Sequence, residues 1–522
     1  MISSVAAGSG GLGRVFVGVG VAMLVFAPLV RGGNRPLAQL VLELIGLGLL
    51  VYALLRPRVG ERFPTALLAG LVGLAVVPLL HALPLPAGAW AALPGRDELA
   101  AALASAGVAA GWMSVATVPH EAERALWALL PPLGLFLFAV RLPGAELRRL
   151  VWVFVGMAAL QAVLGLLQYG AGPDSALRFG YEPYGDSALG TYANRSHLAG
   201  MLGMALPIAL AMLASVIFGL QSEAPQRHHG ALGGLRAMAQ AGTRANRLAV
   251  WAAVCVVLIL GIVFARSRTG IAVAMVGLVL TAVLLMRNFG GAFAGRMLTA
   301  VLGLGGVLAV TVGLAPVFAR FALDATQDGR WPMLEVTLDL AMQFFPLGSG
   351  AGSFVDVFRT AHPESLPGEA FVNHAHNDFA EWWLEGGVLA AVVMLLLAVA
   401  LVQRWRVVWR VRDWSVPHML QLGAGVGLVM LLLFGLTDYN LRIPANQIYF
   451  ALLAAVFFHC GPVEVTHSGR RRRVSRREES AAADAVAGGA VPAARPAVDA
   501  WDAARPVGVR PAPVAGSNPF AE

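Results

Sequence analysis

Lysine is absent from this 522-residue sequence, so all 38 of its basic residues are arginines. The absence reads as a coding bias and costs nothing in phosphate recognition, because a planar guanidinium pairs two oxygens at once. Cysteine is nearly absent as well. Cys255 and Cys460 lie far apart, one within an apolar run and one at the end of another, which excludes a disulfide framework and a cysteine metal site. Charge of either sign is scarce, at 13% of residues against 58% hydrophobic. A chain that apolar is not a string of soluble domains, and its main solvent is lipid. The formal net charge of +8 does not point to nucleic acid, because the arginines sit in short connections and a tail without interleaved aromatics.

What the sequence does contain is a succession of long apolar runs. A hydrocarbon core about 30 Å thick takes roughly 20 apolar residues per helix. About twelve runs qualify: 13–30, 36–55, 63–83, 122–140, 149–169, 197–220, 247–265, 270–286, 297–318, 386–403, 417–436 and 443–460. The first has no small-residue cleavage site behind it and is expected to be retained as a helix. Short connections carrying Arg56, Arg58 and Arg62, then Arg141, Arg148 and Arg149, then Arg227, Arg236, Arg244 and Arg247, then Arg287 and Arg296, then Arg404, Arg406, Arg410 and Arg412 all fall on one side. The bias of arginine toward the inner side makes that side the cytoplasm, with both termini on it. The expected fold class is therefore an all-α polytopic membrane protein, with a membrane domain over 1–460 and about twelve transmembrane helices. A large outer loop, 319–385, separates the ninth helix from the tenth. A tail over 461–522, rich in Ala, Pro, Gly and Arg and including the run Arg470 to Arg473, is expected to be disordered, cytoplasmic and mainly solvated. Long outer connections also span 84–121 and 170–196, and the Ala-rich stretch 97–118 is expected to form a short surface helix.

Five polar clusters are far apart in sequence but fall at the same outer depth. They are Asn194, Arg195 and His197 in GTYANRSHLAG; Arg266 and Arg268 in ARSRTGI; Arg330 with Trp331 in DGRWPM; His374, His376, Asn377 and Asp378 in HAHNDFAEWWLEGG; and Asp438, Asn440 and Arg442 in TDYNLRIPAN. Two arginines in a tight outer turn run against the orientation rule, which suits either a pair of snorkelling side chains or a guanidinium fork for phosphate oxygens. Asn194 leads into an apolar helix, so it serves either as an N-cap or beside an anion at the helix N-terminus, and both roles are compatible. His374 and His376 do not share a helical face and have no accompanying metal-ligand pattern, so no metal site is expected. Either they are surface or capping histidines, or one is a general base whose ring Asp378 or Glu381 orients. PLGSGAGSF lacks the strand and the Lys-Ser/Thr of a nucleotide loop and reads as a tight turn with exposed amides. Asp324 and Asp328 form a carboxylate pair of the kind used on sugars, with nothing else to support that reading.

These ordered motifs, over residues 150–460, resemble the O-antigen ligase and polymerase superfamily of bacterial membrane glycosyltransferases, which also includes protein O-oligosaccharyltransferases. ANRSHLAG is similar to the family's Asn-rich helix start and ARSRTGI to its Ser-Arg-Thr-Gly turn. DGRW and PLGSGAGSF are similar to the start of its large periplasmic loop, HAHNDFAEWWLEGG to the end of that loop, and TDYNLRIPAN to a late outer turn. The family pattern of His, Asn and a Gly ten residues beyond the Asn fits His376, Asn377 and Gly387, while Ala390 replaces the usual Gly, Thr or Tyr. The resemblance implies a multi-pass inner-membrane enzyme, without metal or cofactor, that works at the periplasmic face. It would move a glycan from a polyprenyl (undecaprenyl) diphosphate carrier to a hydroxyl of lipid A core, in lipopolysaccharide or other surface polysaccharide synthesis. It also implies His376 as catalytic base and Arg266, Arg268 and Arg330 at the diphosphate. Arg195, His197, Asn194, His374, Asn377, Asp378 and Asp438 are secondary candidates. A polymerase of O-antigen or exopolysaccharide, whose acceptor is a second carrier-linked glycan, fits the same residues. A twelve-span transporter or flippase of an anionic substrate is the alternative of another class, although no internal repeat accompanies it.

Overall fold

The computed structural model describes residues 11–55, 63–108, 111–180, 187–219, 231–289, 329–361, 371–411 and 414–459. The expected ninth span at 297–318, Asp324, Asp328 and the tail over 461–522 lie outside the described residues. Of the other eleven expected spans, ten each fall on one helix and 122–140 falls on two, 119–127 and 130–139.

The chain opens with α1 (Gly11–Leu29), α2 (Pro36–Leu55) and α3 (Thr65–His81). A two-stranded antiparallel pair follows, β1 (Pro84–Pro86) with β2 (Trp112–Ser114), enclosing the short helices α4 (Ala87–Ala91) and α5 (Asp97–Ser105). The helix expected over 97–118 is thus shorter: it ends at Ser105, Gly107 adopts φ +70, and Trp112 already belongs to β2, where it pairs with Pro86. Next come α6 (Pro119–Trp127), α7 (Leu130–Ala139), α8 (Gly144–Ala171), α9 (Arg195–Ile217), α10 (Ala231–Phe264) and α11 (Arg268–Phe289). Beyond the undescribed stretch are α12 (Arg330–Gln343), α13 (Phe354–Thr360), α14 (Asp378–Arg410), α15 (Val416–Phe434) and α16 (Pro444–Phe458).

Among the described residues, nine helical spans are long and apolar enough to cross a membrane, with α6 and α7 together forming one of them. The apolar helices α3 and α16 are shorter, at 17 and 15 residues, and at about 1.5 Å per residue α16 falls short of a 30 Å core. The protein is a mostly helical, multi-pass membrane protein.

The bundle is organised around α9, which is buried on nearly every side and packs against α8, α10, α11, α15 and α16. Close approach is what puts it there. A Cβ added at Gly423 of α15 would meet the Ile208 Cα at 2.9 Å, and one at Gly427 would meet the Met204 carbonyl oxygen at 2.8 Å. Two glycines four residues apart therefore seat α15 directly on the α9 backbone, the small-residue packing that membrane helices use in place of a hydrophobic drive.

α14 is not one continuous helix. Gly387 breaks it with φ +53, a left-handed conformation that a side chain disfavours, and a Cβ there would collide with the Pro346 carbonyl. The carbonyls released at the break are taken by the segment after α12: the Ser349 amide donates to Leu384 O and the Gly350 amide to Glu385 O, both at 2.9 Å. The amides of PLGSGAGSF are therefore engaged, and the expectation that they are exposed is corrected for these two residues. A helix long and apolar enough to cross a membrane thus carries a separately held N-terminal piece, 378–386, on which several of the polar residues ride.

Candidate active site

The connection between α15 and α16 is the point on which the polar clusters converge. Asp438 is fully buried there. Its Oδ1 accepts the Tyr439 amide at 2.9 Å and lies 3.4 Å from His376 Nδ1, while its Oδ2 lies 3.2 Å from Arg330 Nη2. Arg330 also donates through Nη1 to the Thr437 carbonyl at 2.8 Å. Burial alone would raise the Asp438 carboxyl, but His376 and then Arg330 outweigh it and hold the group below the ordinary carboxylate range. Asp438 is thus an anion, as a carboxylate needs to be if it is to fix an imidazole. The expectation was that Asp378 or Glu381 would orient the base; the carboxylate beside His376 comes instead from a loop 62 positions away.

Glu381 serves the other histidine. Its Oε1 lies 2.8 Å from His374 Nδ1, its Oε2 accepts the Ala375 amide at 2.8 Å, and Arg442 Nε approaches Oε1 at 3.3 Å. Arg442 reaches Glu385 Oε2 as well, at 2.7 Å, and these two carboxylates raise its pKa against the opposing effect of burial. The result is two parallel sets, Arg330–Asp438–His376 and Arg442–Glu381–His374. Between them stands the Tyr439 ring. His374 packs on it at 4.3 Å between centroids, and His376 and His197 meet it edge-on at 4.9 and 4.8 Å.

The remaining clusters are tied to the same turn. Thr437 Oγ1 bonds Thr269 Oγ1 at 3.0 Å, placing the Arg266–Arg268 turn beside Asp438. Ser267 accepts the Gly270 amide at 3.2 Å as the N-cap of α11, and its hydroxyl meets that of Ser196 at 3.1 Å, linking this turn to the start of α9. There Asn194 accepts the Ser196 amide at 2.8 Å, the capping role, and Arg195 reaches the Ser187 hydroxyl at 3.4 Å. Asn377 caps α14 by accepting the Phe379 and Ala380 amides and donates to the Leu436 carbonyl at 3.0 Å. Asp378 accepts the Leu441 amide at 3.0 Å. His197 and Asp378 are buried, whereas His376 and Arg330 keep 20% and 34% of their side-chain surface exposed, so the latter two remain within reach of a substrate.

His376 and Arg266 adopt positive φ, +52 and +55. For a residue with a side chain that conformation costs on the order of 1–3 kcal/mol and persists only where the surroundings enforce it. Such strain clusters at functional sites.

Two positions that sequence reasoning passed over support the loop that holds the N-terminal piece of α14. His81, at the end of α3, accepts the Ala351 amide on Nδ1 at 3.1 Å, so its proton sits on Nε2, which donates to the Leu347 carbonyl at 3.1 Å. Arg96 is buried, donates to the Val115 carbonyl at 2.7 Å and lies 5.0 Å over the Phe344 ring; burial lowers its guanidinium to about 10. The only signal in the sequence was a lone His ending an apolar run and a lone Arg in a long loop.

The arrangement offers an imidazole backed by a buried anion, a second such pair, and arginines on two neighbouring turns. Chemically it can take a proton from a hydroxyl while cationic groups receive developing negative charge. Among the described residues no group of three or more His, Cys, Asp or Glu side chains is placed to hold a metal ion. No curated protein matches the chain. Residues 253–395 match the family described as O-antigen ligase, a stretch that includes Arg266, Arg268, Arg330, His374, His376, Asn377 and Asp378 but ends before Asp438.

Proposed function

Residues 253–395 place the chain in the O-antigen ligase/polymerase superfamily, and from that premise we propose that it transfers a glycan from a polyprenyl diphosphate carrier to an acceptor hydroxyl, without a metal ion, at the periplasmic face of the bacterial inner membrane. The observation that carries this reading is the convergence of Arg330, Asp438 and His376 from three separate segments beside the turn holding Arg266 and Arg268. Twelve spans with both termini cytoplasmic, and the 319–385 loop on the periplasmic side, belong to the same proposal.

His376 directs Nδ1 toward Asp438, which leaves Nε2 to accept the acceptor's proton. As that proton leaves, the acceptor oxygen forms its bond to the anomeric carbon and the bond to the diphosphate oxygen breaks on the opposite face, so configuration inverts. Asp438 balances the imidazolium that results. The electrons of the broken bond stay on the diphosphate, where Arg266, Arg268 and Arg330 receive the charge. Arg330 has five N–H donors, enough to bind Asp438 and still offer donors to a phosphate. Removing one preorganised donor at a developing anion costs about 10²–10³ in rate.

The test is transfer by purified protein in detergent, with EDTA present, from an undecaprenyl diphosphate-linked oligosaccharide to lipid A core or to a second carrier-linked glycan. Transfer by wild type and none by His376→Ala supports the assignment, and the productive acceptor distinguishes ligase from polymerase. Equal activity in His376→Ala removes the base. Uptake of substrate into proteoliposomes without transfer makes the protein a transporter.

A further inference from the structure

Glu381 is buried one turn into α14, and its bonds bear on the segment that carries His376. Its Oε2 holds the amide of Ala375, the residue immediately before His376, and its Oε1 holds the ring of His374, the residue before that. On the other flank Asn377 is fixed twice, by capping α14 and by donating to Leu436. His376 lies between these anchors with φ +52. Asn377 alone does not define that conformation, because a chain anchored on one side relaxes toward the favoured regions of φ and ψ. The second anchor is the Glu381 carboxylate, itself braced by Arg442 at 3.3 Å.

We infer that Glu381 is a positioning residue: by holding Ala375 and His374 it keeps His376 in its left-handed conformation with the ring against Asp438. The inference rests on the reading of His376 as the base. It assigns the Arg442–Glu381–His374 set to the placement of its neighbour and not to a second proton transfer.

Glu381→Gln tests this. The carboxylate meets donors at both oxygens, whereas an amide has one accepting oxygen and an N–H that cannot bond the Ala375 amide. That N–H holds His374 only if the imidazole switches tautomer, and the amide in either case gives up the charge that Arg442 braces, so the pair of anchors is weakened. Two readouts are needed. The first is the rate at which diethyl pyrocarbonate modifies His376 in the purified full-length protein, followed by mass spectrometry; weakening of the anchors should raise it about threefold or more as the segment opens locally. An unchanged rate overturns the inference, and this readout decides even if wild type transfers no glycan, in which case the reading of the function fails separately. The second is transfer kinetics. Glu381→Gln should lower kcat about tenfold or more while KM for the carrier-linked donor stays within about twofold, and it should add nothing further in a His376→Ala background. Losses that multiply in the double variant overturn the inference, because Glu381 would then act independently of His376. Glu381→Asp, which keeps the charge and shortens the reach, replaces Glu381→Gln in both readouts if the latter does not purify as a monodisperse protein.

Discussion

α9 and α2 are equally apolar, each with a mean hydropathy of 2.1 over an 18-residue stretch, yet 89% of that stretch is buried in the protein in α9 against 28% in α2. Hydropathy reports only that a segment leaves water; lipid and protein interior are alike in that respect. What separates the two helices is side-chain size and what meets them. α9 presents Ala199, Gly200, Gly203, Ala205 and Ala209 to its neighbours, so backbones come close. α2 turns Leu37, Leu44, Leu54 and Leu55 outward, where bulk is harmless.

If this contrast is right, the most damaging change is one that enlarges the seat of α15 on α9. Gly427→Leu should prevent assembly altogether, since backbone contact at 2.8 Å leaves no room and overpacking already costs about 1–3 kcal/mol where side chains can yield. Size-exclusion chromatography in detergent checks this; a monodisperse, wild-type-like protein would break the comparison. Next in size is the polar end of the same contact. Asp438→Ala should lower kcat about 10²–10⁴-fold, the range of an acid–base contribution, in a protein that still purifies, as read in the transfer assay. Arg268→Ala should follow at about tenfold to a hundredfold; if it leaves transfer unchanged, the arginine merely snorkels.

A smaller effect is read in stability. The Asp438 carboxyl is depressed in the native state, so its contribution is fully present above the ordinary carboxylate value of about 3.9 and is lost as pH falls from there toward the depressed value. Melts of wild type should therefore lose stability with acid more steeply than melts of Asp438→Asn, with no difference between the two slopes above about pH 6. The smallest effect belongs to α2: Leu44→Ala, 61% exposed, should change stability by no more than about 0.5 kcal/mol.

The same contrast explains what could be read in the sequence. Eleven of the expected spans fall on helical stretches, nine of them long and apolar enough to cross a membrane, because length and apolarity are local properties. The clustering of Asn194–His197, Arg266–Arg268, Arg330, His374–Asp378 and Asp438–Arg442 at one end was legible too, since alternating spans sort loops by side. The partners within the cluster were not. Asp438 to His376, Arg442 to Glu385 and His81 to Ala351 join positions 62, 57 and 270 apart, and no periodicity encodes such a pairing. Gly387 was noticed only as part of a family pattern. Its role as a helix break needed the loop that fills the gap.

That break has a mechanical consequence. A helix running unbroken from bilayer to polar cluster would transmit every adjustment of its tilt, and membrane helices tilt to match the thickness of the bilayer around them. Here the segment 346–350 takes the Val388 amide below the break as well as the Leu384 and Glu385 carbonyls above it, so each stretch is held to that segment and the two are not continuous with one another. The piece that follows His376 is thereby hung like a shelf on a bracket, fixed to that segment at the joint and not to the line of the shaft beneath it.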